Sequence, residues 1–191
     1  QTEITTWKFD KSSVFDLAWH PAGSVLAVAG YKGVQIWSPR DPTAPPSSLA
    51  VDTASINIAW AGDGRYLAAG NLDRTLTIMD WQQPEESWTL QGCPGKIRRL
   101  AWIAGTGTPC LAVASGMTIV LWELSTDTTT WNGRLCEGHQ GIVATTIAHP
   151  HAPKLASGGA DGYICLWTAA GEIAQILNQP IISGFTSLSW H

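Results

Sequence analysis

The sequence predicts an all-β fold assembled from tandem four-stranded antiparallel sheets, and three observations predict it. Short runs of about five to seven residues, rich in Val, Ile, Leu, Thr and Trp, recur between turns marked by Gly, Pro, Asp or Asn. None of them carries the 3.6-residue stripe of an amphipathic helix. The runs repeat in the same order with a period of about 42 to 45 residues, the length of a four-stranded repeat unit.

The first strand of each unit reads LAWHPAG from Leu17, IAWAGDG from Ile58, LAWIAGTG from Leu100 and IAHPHAP from Ile147, and SLSWH from Ser187 closes the chain. Aligned this way, Trp19, Trp60, Trp102, His149 and Trp190 form one column. The second strand follows after a short turn as VLAVAG from Val25, YLAAG from Tyr66, CLAVASG from Cys110 and KLASGG from Lys154. The third reads GVQIW from Gly33, TLTIM from Thr75, TIVLW from Thr118 and YICLW from Tyr163. A weaker fourth strand is read in SSLAV from Ser47, SWTLQ from Ser87, GRLCE from Gly133 and EIAQIL from Glu172.

Four-stranded sheets at this period are the blades of a β-propeller, in which each sheet buries both faces against its neighbours. About four blades are therefore expected, over residues 14–51, 55–91, 96–137 and 141–177, with the innermost strand of a fifth at 183–191. Residues 1–191 would form a single propeller segment. Burial on both faces accounts for the unbroken apolar runs, and for a charged content of 14% where roughly 25% is ordinary.

The net charge is −4, and the one basic cluster is Lys96, Arg98 and Arg99, so little is present to neutralise a phosphate backbone. Nucleic acid is not expected as a partner. Cys93, Cys110, Cys136 and Cys165 lack C-x-x-C spacing and sit in or beside apolar runs, which reads as reduced and buried thiols. No stretch approaches about 18 apolar residues, so no membrane partner is expected, and the default location is cytoplasmic.

These motifs resemble the WD-repeat family, as a bacterial-type or otherwise divergent member. The fourth repeat carries the resemblance best, with Gly138-His139, then IVATTIAHP, KLASGGADG and YICLW. In that family a His, a Ser or Thr, a turn Asp and a Trp form a buried hydrogen-bonded chain. The resemblance assigns this structural tetrad to His139, Ser157, Asp161 and Trp167.

The other repeats depart from it. The second keeps Asp73 but has Met79 for the Trp, and Gly92-Cys93 where a following Gly-His would stand. The first has Tyr31 near the Asp position and the third Gly116, while both keep the terminal Trp as Trp37 and Trp122. Those blades are expected to be held by packing.

Residues Ile4 to Phe9 read as an outer strand, and His191 falls where His20 falls, one strand into a repeat. With Gln1 in place of an initiator Met, this reads as a segment of a longer chain whose open ends need closing. Closure would come from further blades, from a homodimer giving a ring of about eight blades, or from a distorted small ring.

Candidate chemistry is sparse. His149, His151, His20 and His191 suggest imidazole ligands, yet no Cys or carboxylate completes a tetrahedral set, so no metal is expected. Ser157, His139 and Asp161 are the residue types of a nucleophilic triad, but their match to the tetrad implies burial, and no G-x-S-x-G elbow exists. No phosphate-binding glycine motif is present, so no catalytic residue and no cofactor are expected.

For partner capture the family uses the ring face, at the start of each innermost strand and at the turn before the Asp position. By alignment these are Ser13, Ser55, Lys96 and Ile142, with Leu72, Ala160 and Gln140. The expected function is a scaffold that binds proteins or peptides there. The alternatives are a structural propeller segment of a larger multidomain protein, and a propeller enzyme using the central channel, for which the sequence offers few ionisable groups.

Overall fold

The computed structural model describes residues 13–127, 129–177 and 187–191. Among these residues the chain forms fourteen strands and no helix. It divides into two compact units, residues 1–89 and 90–191. The predicted outer strand at Ile4 to Phe9, and residues 183–186 of the predicted fifth repeat, lie outside the described residues.

The first unit carries β1 (Asp16–Trp19), β2 (Leu26–Trp37), β3 (Ser47–Trp60), β4 (Tyr66–Asn71), β5 (Leu76–Asp80) and β6 (Ser87–Leu90), the last running one residue past its boundary. They hydrogen-bond in chain order. Two of these strands have two sets of partners. β2 meets β1 through residues 26–29 and β3 through Tyr31 and residues 33–36, while β3 meets β4 through residues 55–60.

Separate strands were expected at each of those places. No Gly or Pro interrupts Val51-Asp52-Thr53-Ala54, so the extended backbone of the first repeat's outer strand runs straight into the second repeat's innermost strand. In β2 the chain turns at Lys32 and Gly33, with φ of 67° and 122°. A Cβ on Gly33 would collide with the Leu49 carbonyl, so only glycine fits there.

The second unit holds two four-stranded sheets. One is β7 (Ile97–Ile103), β8 (Cys110–Ser115), β9 (Thr118–Leu124) and β10 (Trp131–Cys136); the other is β11 (Val143–Ala148), β12 (Lys154–Gly159), β13 (Ile164–Thr168) and β14 (Ile173–Ile176). Neighbouring strands within both sheets run antiparallel. The innermost strand of the second sheet, β11, packs against β7 and β8.

Burial explains the composition. Every residue of β4, β5 and β8 is buried, so these strands have no wet face and no reason to alternate. Their small residues let neighbouring backbones approach. Ala68 and Ala69 in β4, and Ala112 and Ala114 in β8, have no measurable exposure.

The sheets within each unit are keyed together by recurring contacts. In the first, the Ile58 N–H donates to Asp16 Oδ2 at 2.9 Å and the Trp60 indole donates to the Ala18 carbonyl at 3.2 Å. The Trp60 ring stands edge-on to His20 at 4.9 Å. In the second, Trp190 donates to the Ile147 carbonyl at 3.4 Å and stands edge-on to His149 at 4.8 Å.

Register corrects one alignment. Trp19 pairs with Leu26 and Trp60 with Leu67, while Ala148, not His149, pairs with Leu155. His149 instead matches His20: the N–H of each donates back across a turn, to Lys154 O and Val25 O. Each Nδ1 also accepts an N–H two residues on, from His151 and Ala22 at 3.1 Å. The imidazole therefore closes the turn after the strand, and Ala148 holds the place of the Trp.

The fifth innermost strand does not form over residues 187–191. A strand needs a ladder, and these residues have no ladder partner among the described residues. Trp190 is nevertheless seated as Trp60 is.

Candidate functional site

In the last sheet the four side chains His139, Ser157, Asp161 and Trp167 join in one chain. His139 Nδ1 lies 2.9 Å from Asp161 Oδ2, and His139 Nε2 lies 2.7 Å from Ser157 Oγ. The Trp167 indole donates to the same Ser157 oxygen at 2.7 Å. Asp161 also accepts the N–H of Gln140 at 2.8 Å and of Tyr163 at 3.1 Å.

Burial works to raise the Asp161 pKa, but the Tyr163 and Gln140 N–H groups and His139 outweigh it and hold the carboxyl below its ordinary value. Gly159 leaves room for the pair, since a Cβ there would fall against Asp161 and 2.6 Å from His139 Nδ1. Ser157 is fully buried and His139 is 8% exposed, while Asp161 is half-buried. The hydrogen bonds of the set brace the sheet.

The second repeat, which lacks the His and Trp of the tetrad, holds a polar network of its own. Ser55 Oγ donates to Asn71 Oδ1, and the Asn71 amide donates to the hydroxyls of Thr75 and Thr77, all at 2.9 Å. Asp73 secures the turn by accepting the Thr75 hydroxyl at 2.7 Å and its N–H at 3.0 Å. No fixed motif announces these residues. Their one signal in the sequence is the run of hydroxyl and amide side chains at 71–77 within an apolar stretch.

Cys93 also departs from its expected assignment. It serves the third sheet rather than the second, because Gly92-Cys93 stands four residues before Ile97 as Gly138-His139 stands before Val143. Burial pushes its thiol pKa up, against side-chain contacts from Trp122 and Ser115. Ser115 further clamps Gly95, donating to its carbonyl at 2.8 Å and accepting its N–H at 3.0 Å.

Of the candidate surface residues, Ser13, Lys96, Gln140 and Ala160 are exposed, and so are Leu72 (56%) and Ile142 (43%). Ser55 is not. It is fully buried in the network with Asn71, because it pairs as Ile97 and Val143 do, and Ala54 is the true counterpart of Lys96 and Ile142. Its candidacy for partner contact is withdrawn.

Two further exposed side chains join the others. In the first unit, Tyr31 pairs with Ala54 and Leu72 N–H donates to the Ala54 carbonyl, so both flank one residue. In the second, the Val143 N–H donates to Gly116 O at 2.8 Å and Gly116 N–H to Lys96 O at 3.5 Å, which gathers Lys96, Met117 and Ile142. Tyr31 is 61% exposed and Met117 55%.

All four cysteines are free and buried. Among the described residues no group of three or more His, Cys, Asp or Glu could hold a metal ion. No helix among them is long and apolar enough to cross a membrane.

Comparison with known proteins agrees with this architecture. The model of the WD domain, G-beta repeat, matches residues 1–38 and 132–168. The chain is 27% identical to Protein HIR1 of Mycosarcoma maydis, over 90% of this chain and 20% of that protein. It is 26% identical to a ribosome biogenesis protein WDR12 homolog of Ixodes scapularis, over 67% of this chain and 30% of that one.

The solved structure of U3-55K superposes with a TM-score of 0.73 at 20% identity, over 89% of this chain and 52% of that one. The chain spans less than a third of the length of either of the two curated relatives. Similarity to a ribosome biogenesis protein points away from a cytoplasmic location and corrects that expectation.

Proposed function

The chain carries WD40 repeats, and from that premise we propose that it is a scaffold holding protein partners on the turns that carry Tyr31 and Leu72 in one unit and Lys96, Met117 and Ile142 in the other. The observation that supports this most is the backbone tie from Val143 to Gly116, which fixes exposed side chains of two adjacent sheets side by side. Exposed apolar groups on a rigid frame suit contact with a protein, because little conformational entropy remains to be lost on binding. Ser157, His139 and Asp161 take no catalytic part in this reading, the first two being buried and all three mutually satisfied.

The test is a pull-down from cell extract with wild type, Lys96→Glu and Ile142→Asp. The scaffold reading expects proteins recovered with wild type to be lost or depleted with both variants. Recovery of the same set by all three rejects this surface.

A further inference from the structure

The side chains of the third repeat's basic cluster make no ion pair or hydrogen bond among the described residues. Arg98 is the extra residue of a β-bulge in β7, where Ile97 pairs with Ser115 and Arg99 with Ala114. The same bulge occurs in β3, at Ile56 between Ser55 and Asn57, and in β11, at Ala144 between Val143 and Thr145. Those two repeats place an apolar side chain at the bulge, and only the third places a cation. Bulges re-aim side chains out of the regular alternation, and they recur beside functional sites.

Among the described residues none of the three cations is paired. The described residues give ion pairs only between Arg65 and Asp80 and between His139 and Asp161, and the side chains of Lys96, Arg98 and Arg99 enter no hydrogen bond. Lys96 and Arg99 are exposed, and Arg98 is half-buried with its Nε enclosed and without an acceptor. A buried donor left unpaired is unfavourable, and a carboxylate is its natural complement, since guanidinium and carboxylate meet through two parallel hydrogen bonds.

Next to this cluster stand the exposed apolar groups Met117 and Ile142. We infer that Lys96, Arg98 and Arg99 form a carboxylate-binding site for an acidic peptide segment of a protein partner, with Met117 and Ile142 receiving its apolar residues. This rests on the scaffold reading and names the chemistry of the partner. A protein segment is favoured over RNA because three cations in a chain of net charge −4 cover few phosphates.

The test uses a fluorescein-labelled peptide of four Glu and two Leu, its counterpart with Gln for Glu, and a ten-nucleotide polyuridine RNA, followed by fluorescence anisotropy at low salt. The acidic peptide is expected to bind at least roughly ten-fold more tightly than the Gln peptide, about the weight of one charge-assisted hydrogen bond. Lys96→Gln with Arg99→Gln, both exposed, should remove that preference while leaving thermal unfolding unchanged. In the wild-type protein the Arg98 Nε–Hε resonance should shift as the acidic peptide is added.

No binding of the acidic peptide, equal binding of the Gln peptide, an unaffected double variant, or tighter binding of the RNA overturns the inference. If the pull-down still depends on Ile142 while the acidic preference is absent, this inference fails and the scaffold reading stands.

Discussion

Trp190 gives its indole N–H to the main-chain oxygen of Ile147 at 3.4 Å. Trp60 does the same to Ala18 at 3.2 Å, and each indole stands edge-on to the histidine two residues beyond its acceptor, His149 and His20. One latch thus joins successive repeats in both units.

Removing that latch should be costly. Trp60 is 9% exposed, so Trp60→Ala is expected to lose about 3–5 kcal/mol in urea unfolding. Trp60→Phe keeps much of the bulk but not the hydrogen bond, and should lose clearly less. Equal losses would mean that the contact with Ala18 dominates over packing.

Ser157 accepts the Trp167 indole N–H and, with His139 Nδ1–H turned to the Asp161 carboxylate, donates its own hydroxyl to His139 Nε2. Ser157→Ala strands two buried polar groups, at about 1–3 kcal/mol each if neither finds a new partner. Loss of stability in chemical denaturation checks this, and a change below about 0.5 kcal/mol would show the tetrad to be dispensable.

Acid should expose the role of Asp161. Its carboxyl titrates below the ordinary value in the folded chain, so the stability it contributes is present above the unfolded pKa of about 3.9. That contribution falls as the pH drops through the lower, folded value. Thermal unfolding from pH 6 down to pH 2 should show a steeper acid decline in wild type than in Asp161→Asn.

Gly33→Ala tests the turn in β2. With φ at 122° and the Leu49 carbonyl in the way, the methyl group has no room, and a loss of more than about 2 kcal/mol is expected in urea unfolding. Gly62→Ala is the control, because a Cβ there meets nothing within 4 Å.

How far the sequence carried the structure follows from which signals survive without neighbours. The apolar runs of β4 and β8 are legible because burial on both faces leaves no polar residue to break them. His139, Ser157, Asp161 and Trp167 are legible because the family motif keeps their spacing. Ser55, Asn71 and Thr77 meet only across strand pairs, so no interval in the sequence marks them.

The sequence alone aligns His149 with the Trp column because its aromatic ring resembles Trp, whereas the ladder puts Ala148 there. A similar one-residue offset puts Ser55 on the partner face in the sequence and inside in the structure, since in a strand one residue exchanges inside for outside.

The central claim is that proteins dock where Lys96, Met117 and Ile142 gather. Its most direct test is site-specific photo-cross-linking, with a benzophenone amino acid in place of Ile142 and, as comparator, of the exposed Asn132 on β10. The account predicts discrete protein adducts from position 142 and none from position 132. Adducts from both positions alike, or from neither, would contradict it.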